Sequence, residues 1–292
     1  MIYRILGNTG LKVSILGFGA GEIGDLAIED NNVDKILNFA LDNGINLIDT
    51  ARGYNASEDR IGKFISHRRN EFVLSTKIGY GIEGLEDWSY ECIIAGVDEA
   101  LRLLRTDYID LVHLHSCPFE ILQRGEAILA LQNAVKTGKV KVAAYSGEND
   151  ELKFAVESNV FQSVQTSFNI CDQRNIENIF PTSIKKQIGV IAKRPIANAP
   201  WRFDEQPRGR YAEEYWLRWK KMNVDIGMDW NEAALRFTAF TKGIDTCIVG
   251  TTSIKHLKRN IEIINNGKLP EEIYFTLRNA FIQNDDGWTG QV

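Results

Sequence analysis

Four titratable residues stand at, or just beyond, the ends of short apolar segments of the chain. Asp49 and Lys77 each follow directly after such a segment, His115 closes a third, and Tyr54 comes five residues after Asp49. Charges at the ends of buried strands are unfavourable unless they are paired, and Asp49 can pair with Lys77. If the segments are parallel strands of a barrel, these side chains converge on one rim.

The four residue types together favour acid–base chemistry at a carbonyl group. A free tyrosine has a pKa of about 10, and a nearby ammonium stabilises the phenolate, so a tyrosine beside a lysine is a usable general acid. In this scheme Asp49 holds Lys77, and Lys77 polarises Tyr54. His115 helps to orient the substrate carbonyl, and no metal ion is needed.

The elements that must position these residues alternate along the chain. Eight short segments are apolar, in part β-branched or aromatic, and bounded by turn residues, which is typical of buried parallel strands. They are 14–19, 45–48, 72–76, 108–115, 140–146, 163–167, 188–193 and 245–250. Amphipathic stretches of helical period lie between them. This alternation predicts an α/β fold, a (β/α)8 TIM barrel.

Local signals refine this architecture. Residues 3–14 have the pattern of a β-hairpin, which would plug one end of the barrel. Gly44 and Gly138 stand where helices should end, and Ser57 is a plausible N-cap.

A long insertion containing residues 199–223 separates the seventh strand from the seventh helix. Such loops are usually functional lids, and packing without ligand contact is the alternative.

Composition and charge exclude several classes of protein. The 292 residues are 44% apolar and 25% charged, which suits one globular domain spanning residues 1–292. The net charge of −5 argues against a nucleic-acid partner. The N-terminus lacks a signal-peptide pattern, and no apolar run is long enough to span a membrane. The four cysteines have no paired spacing, as expected of reduced thiols in a cytoplasmic protein.

Four stretches are similar to motifs of one known family. In chain order they are YRILGNTGLKVSILGFG, INLIDTARGYNASEDRIGKFI, VLSTKIG and YIDLVHLHS. With them the chain resembles the aldo-keto reductases over nearly its whole length. The resemblance implies NAD(P)H bound in an extended form without a Rossmann domain, and hydride transfer to an aldehyde or ketone, with a sugar or sugar derivative among the candidates. It makes Tyr54 the proton donor in a catalytic set with Asp49, Lys77 and His115.

The resemblance also implies a set of cofactor contacts. Ser146 and Gln165 match positions that hold the nicotinamide amide, although Gly147 stands where the family usually has Asn. On the seventh strand Lys193 or Arg194 replaces a stacking aromatic residue. Arg194 is expected to contact the cofactor and marks a divergent, bacterial-type subgroup. The other expected contacts are Gly19, Ala20, Gly250, Thr251, Thr252, His256 and Asn260.

The choice between the two dinucleotides depends on the last of these segments. Residues 250–252 would meet the phosphates at the N-terminus of the last barrel helix. The family's arginine for the 2′-phosphate has no clean equivalent; His256 occupies one candidate position, with Lys255 and Arg259 close by. NADP(H) is therefore expected in preference to NAD(H).

Three residues are expected to line the substrate pocket: Glu22, Cys117 and Trp201. Rim solvation is the alternative for Glu22. Tryptophans 216 and 219 are at least as well explained by packing of an accessory helix.

Two other functions are compatible with the sequence. A redox-sensing or regulatory subunit that binds the cofactor with little turnover would keep the same four residues. His113 and His115 form an H-x-H pattern that also occurs in metal-dependent hydrolase barrels. A metal site would need further ligands from other strand ends, so no metal is expected and His113 is interpreted as a core histidine.

Overall fold

A closed barrel of eight parallel strands forms the centre of the molecule, with helices between the strands and a β-hairpin in front of them. The structure, a computed structural model, describes residues 1–291. The hairpin pairs β1 (Tyr3–Ile5) with β2 (Lys12–Ser14) in antiparallel register. The barrel strands are β3 (Leu16–Gly19), β4 (Leu47–Asp49), β5 (Val73–Ile78), β6 (Ile109–His115), β7 (Val140–Ser146), β8 (Ser163–Ser167), β9 (Gly189–Lys193) and β10 (Thr246–Gly250).

The predicted TIM barrel is confirmed, and each predicted apolar segment overlaps one barrel strand. The strands follow one another in chain order, and β10 pairs with β3 to close the barrel. The helices are α1 (Asp30–Asp42), α2 (Ser57–Ile65), α3 (Tyr90–Leu104), α4 (Phe119–Arg124), α5 (Glu126–Lys136), α6 (Asn149–Glu157), α7 (Asn175–Asn178), α8 (Phe180–Lys186), α9 (Glu213–Met222), α10 (Trp230–Phe240), α11 (Ile254–Asn265) and α12 (Glu271–Asn284). Within residues 1–291, no helix is both long and apolar enough to cross a membrane.

The local signals for helix ends were right in two places and wrong in one. Gly44 and Gly138 follow the ends of α1 and α5 with φ angles of 82° and 78°, a conformation that glycine adopts without strain. Ser57 does not cap α2, because the N-cap residue is Ala56. The Ser57 hydroxyl instead donates to the Ala20 carbonyl oxygen at 2.7 Å.

The hairpin closes one end of the barrel, as the sequence predicts, and the structure shows that this is the amino-terminal end. Leu6, between the two hairpin strands, is fully buried, and so is Val13 on β2. They pack in one cluster with apolar residues from the beginnings or middles of the barrel strands, among them Leu47, Val73 and Leu111. Burial of a leucine of this kind contributes roughly 2 kcal/mol. The carboxyl ends of the strands are left for the site.

The predicted insertion lies between β9 and α10 and contains α9. Two of its tryptophans pack on Trp230, the first residue of α10: the rings of Trp201 and Trp230 stack with centroids 5.8 Å apart, and Trp219 meets Trp230 edge-on at 5.7 Å. Trp216 donates from its indole nitrogen to the Phe203 carbonyl oxygen at 3.0 Å. Aromatic packing therefore holds the insertion together.

Candidate active site

Asp49 and Lys77 form a buried ion pair at the carboxyl ends of neighbouring strands. Asp49 is the last residue of β4, and Lys77 lies near the end of β5. The Lys77 Nζ atom is 2.6 Å from Asp49 Oδ2 and donates a second hydrogen bond, of 2.7 Å, to the Thr50 carbonyl oxygen. Neither side chain is more than 2% exposed, so solvent screens the pair very little.

Electrostatics keep both partners charged. Burial alone would raise the pKa of Asp49, but the charge of Lys77 and the hydrogen bonds from Lys77 and Ser75 to the carboxylate outweigh it and lower that pKa below its usual value. Burial would likewise lower the pKa of Lys77, but the charge of Asp49 and the contact with Tyr54 raise it above its usual value. Lys77 is therefore an ammonium group at neutral pH.

The second oxygen of Asp49 connects the ion pair to two predicted cofactor contacts. Asp49 Oδ1 accepts hydrogen bonds from Ser75 Oγ at 2.7 Å and from Gln165 Nε2 at 2.9 Å. Ser146 Oγ donates to Gln165 Oε1 at 3.2 Å. All these side chains are fully buried or nearly so, so the amide of Gln165 is held in one orientation by partners at both of its ends.

Tyr54 lies on the loop between β4 and α2, with its ring half-buried beside Lys77. The Lys77 Nζ atom is 5.0 Å from the centre of the tyrosine ring. The loop is fixed by close backbone packing, because a Cβ atom on Gly24 would lie only 1.9 Å from the Tyr54 carbonyl oxygen. Only glycine fits at that position.

His115, the last residue of β6, also packs against the tyrosine. Its ring packs edge-on against Tyr54, with centroids 5.9 Å apart and planes at 88°. Burial, followed by the charges of Lys77 and Lys193, lowers the pKa of His115 to about 3. The imidazole is therefore neutral at physiological pH and carries one donor and one acceptor nitrogen. Asp49, Lys77, Tyr54 and His115 thus lie together at one end of the barrel.

Tyr80 also belongs to this group, although it was not among the predicted site residues. Its hydroxyl oxygen is 2.9 Å from His115 Nδ1, and the two rings stack with centroids 5.7 Å apart. Tyr80 lies two residues beyond the end of β5, between Gly79 and Gly81, which both have positive φ angles. Its place just after the strand of Lys77 is the signal by which it could have been found.

His113 lies inside the barrel and extends the same network. Its Nε2 atom is 3.1 Å from Ser75 Oγ, the hydroxyl that also donates to Asp49. The residue is fully buried, and burial lowers its pKa to about 4. It is a packed, hydrogen-bonded core histidine, as the sequence indicated.

The predicted phosphate-binding residues lie where β10 leads into α11. Gly250 pairs with Gly19 across the closure of the barrel, and a Cβ atom on Gly19 would lie 3.3 Å from the Gly250 nitrogen. Thr251 is buried and Thr252 is partly exposed. Gly19 and Gly250 have no side chains, and they lie beside the start of the twelve-residue helix α11. The positive end of the helix dipole and the open backbone fit the phosphate groups of a dinucleotide.

The remaining residues of this region divide between buried and exposed. Ser253, which was not predicted, caps α11, because its Oγ atom accepts a hydrogen bond from the His256 amide. The side chain of His256 is exposed, and Asn260 is buried one turn further on. Ala20 is fully buried, and its amide donates to the Asp49 carbonyl oxygen at 2.7 Å.

Arg194 directly follows β9 and is held by the protein itself. Its guanidinium donates to Ser167 Oγ at 3.0 Å and to the Gln291 carbonyl oxygen near the C-terminus, and lies 4.5 Å over the Tyr211 ring. The neighbouring Lys193 forms an ion pair of 3.1 Å with the buried Glu148. A cofactor contact by Arg194 therefore requires the guanidinium to share or exchange these partners.

The three predicted pocket residues are not brought together. Cys117 is fully buried in the apolar core, and burial raises the pKa of its thiol to about 12. Trp201 packs against Trp219 and Trp230 and donates to Asn231 Oδ1 at 3.2 Å. Glu22 is exposed beside Gly250 on the rim. The core placement of Cys117 contrasts with the expected pocket lining, because a buried thiol presents no surface to a substrate.

Comparison with known proteins gives one consistent family. The Aldo/keto reductase family model matches residues 15–280. The chain is 29% identical over 279 residues to an L-galactose dehydrogenase of Arabidopsis thaliana, with 89% of this chain and 87% of that protein covered. It is 28% identical over 297 residues to an uncharacterized oxidoreductase of Bacillus subtilis, with 92% and 93% covered.

A solved structure agrees with these sequence relatives. The chain is similar to the holo form of an aldo-keto reductase from Bacillus halodurans, with a TM-score of 0.82, 28% identity and 96% of each chain covered. The family match and this structural likeness identify an NAD(P)H-dependent oxidoreductase that reduces small carbonyl compounds. The chain belongs to the aldo-keto reductase family.

Proposed function

We propose that Tyr54 is the general acid that protonates the carbonyl oxygen of the substrate. The observation that supports this role is the buried Lys77 ammonium, which is bonded to Asp49 and in contact with the Tyr54 side chain. A phenolate left after proton transfer would lie beside this ammonium, and the ammonium would stabilise it. His115, neutral and next to Tyr54, can donate a hydrogen bond to the same carbonyl oxygen.

The cofactor and the protein divide the reaction between them. When bound, NAD(P)H supplies the hydride for the carbonyl carbon. Gln165 and Ser146 would hold the carboxamide end of the cofactor, and residues 250–252 its phosphates. In this arrangement the protein orients the carbonyl, delivers the proton from Tyr54 and excludes water from the buried ion pair.

We also propose that NADPH is bound in preference to NADH. Two positive side chains, Lys255 and Arg259, and the imidazole of His256 stand on the first turns of α11 and are exposed. A 2′-phosphate adds negative charge that such groups attract. Titration of the protein with each dinucleotide measures the preference directly. Equal dissociation constants, or tighter binding of NADH, would contradict it.

The proposed substrate is a small aldehyde or ketone, and sugars come first among those to be tried. The Arabidopsis relative is named for L-galactose, and it covers most of this chain. Steady-state assays with the preferred dinucleotide should compare simple aldehydes, ketones and free sugars. Turnover of at least one class is expected. Tight dinucleotide binding without turnover across the panel would instead favour a redox-sensing or regulatory subunit.

A further inference from the structure

Among the residues that the structure describes, Tyr80 is the one side chain that forms a hydrogen bond with the imidazole ring of His115. Its Oη atom is 2.9 Å from His115 Nδ1. Within residues 1–291, His115 Nε2 forms no hydrogen bond, and the ring is only partly covered. The protein therefore engages one nitrogen of this histidine and leaves the other available to a substrate.

Packing holds the Tyr80 ring in place for this contact. The ring stacks on His115 at an interplanar angle of 24°, and Trp88 packs against it with centroids 5.9 Å apart. Trp88 can approach because Gly79 has no side chain: a Cβ atom there would lie 2.0 Å from the indole. A ring fixed on both sides directs its hydroxyl at one target.

The protonation states limit how this hydrogen bond can be arranged. His115 is neutral, since its pKa is lowered to about 3, so one ring nitrogen carries a proton and the other accepts. Burial, and then the nearby Tyr54, raises the pKa of Tyr80, so its hydroxyl keeps its proton. Nε2 can donate to a carbonyl oxygen only if it carries the imidazole proton, and Nδ1 must then accept from Tyr80.

We propose that Tyr80 is a positioning residue that donates to His115 Nδ1 and thereby fixes the Nε2–H tautomer. This inference rests on the proposed role of His115 in orienting the carbonyl. Tyr80 does not contact the reacting atoms in this account. It acts by setting which nitrogen of His115 presents a hydrogen-bond donor to the substrate.

The tautomer can be measured directly on the wild-type protein without any substrate. Two-bond proton–nitrogen NMR correlations distinguish a protonated from an unprotonated ring nitrogen. The chain has four histidines, and His115→Asn identifies the signals of His115 by their loss. We expect Nε2 protonated and Nδ1 unprotonated at pH 7. A protonated Nδ1 would overturn the proposal, whatever happens to any variant.

Tyr80→Phe removes the hydroxyl and keeps the ring that stacks on His115. We expect the His115 signals to change to a mixture of tautomers or to the Nδ1–H form. We also expect kcat/KM to fall by about 10-fold, the effect of losing one orienting hydrogen bond, with most of the loss in kcat. Unchanged His115 signals in Tyr80→Phe would contradict the proposal.

A matched control separates positioning from general loss of structure. Tyr90→Phe also removes one tyrosine hydroxyl, which accepts a 3.0 Å hydrogen bond from Asn133 Nδ2 outside the site. It should leave both the His115 signals and kcat/KM at wild-type values. Tyr54→Phe should also keep the His115 tautomer while losing turnover, so a failure of the proposed acid would be distinguished from a failure of the tautomer proposal.

Discussion

Lys77 is the residue on which the proposed chemistry depends, because its ammonium contacts both Asp49 and Tyr54. Its place could be read from the sequence, since a lysine directly after an apolar segment needs a charged partner and Asp49 directly follows the preceding apolar segment. Tyr80 carries a weaker signal, its place just after the strand of Lys77, and only the folded loop shows that its hydroxyl reaches His115.

Removing one partner of the buried ion pair should strongly destabilise the protein. Asp49→Asn leaves the Lys77 ammonium buried without its counter-charge, and we expect the free energy of unfolding to fall by about 3–5 kcal/mol. Asp98→Asn is the matched control, because Asp98 pairs with Lys139 where both side chains are at least 41% exposed. That change should stay within about 1 kcal/mol in urea unfolding. Equal effects of the two substitutions would be inconsistent with the electrostatic account.

The pH dependence of stability should carry a contribution from His115. Its pKa falls from 6.5 to about 3 on folding. Between these two values the unfolded chain binds a proton that the folded protein excludes, so stability is lost as pH falls through this window. His115→Asn should reduce that slope by up to about 1.4 kcal/mol per pH unit. Urea unfolding at several pH values would show it, and identical slopes in the two proteins would argue against the depressed pKa.

At the scale of elements, short apolar segments of the sequence located the strands. They did so because parallel barrel strands are buried on both faces and are therefore apolar along nearly their whole length. The start of α2 was harder to place. Ser57 has the residue type of an N-cap, but a tertiary partner, the Ala20 carbonyl, competes for its hydroxyl. The loop that carries Tyr54 likewise depends on Gly24, whose close approach to another segment cannot be read from neighbouring residues.

Gly24→Ala should displace the Tyr54 loop. Its new Cβ atom would overlap the Tyr54 carbonyl oxygen, so we expect a loss of roughly 1–3 kcal/mol in stability and a clear fall in kcat. Gly96→Ala is the control within α3, where the nearest side-chain atom to a new Cβ is Ile78 at 3.5 Å. That substitution should be neutral or stabilising by up to about 1 kcal/mol. Wild-type kcat in Gly24→Ala would show that the close packing does not position Tyr54.

At the scale of the whole molecule, the barrel separates stability from chemistry. The hairpin and its apolar cluster occupy the amino-terminal end, and the candidate site occupies the carboxyl end. The insertion and the C-terminal segment pack back on the site end through Arg194 and Gln291. These contacts support our proposal that the chain is one domain. Sequence patterns predicted the insertion, but not the partners of Arg194, which lie far away along the chain.

Leu6→Ala tests this separation of the two ends. Leu6 is fully buried in the hairpin cluster, so its truncation should cost about 2–5 kcal/mol of stability while kcat stays near the wild-type value. Leu129→Ala provides the control, because Leu129 is 49% exposed and should change stability by less than about 0.5 kcal/mol. Chemical denaturation and steady-state assays on the same samples give both quantities. A large fall in kcat for Leu6→Ala at temperatures where it is folded would refute the separation.

The most direct measurement for the central claim is carbonyl reduction by Tyr54→Phe. The substitution removes the hydroxyl beside Lys77 and leaves the ring in place. We expect turnover to fall by at least about 100-fold, the lower range for loss of a general acid, while the dissociation constant for NADPH stays at the wild-type value. Turnover at the wild-type rate in this variant would contradict the assignment of Tyr54 as the proton donor.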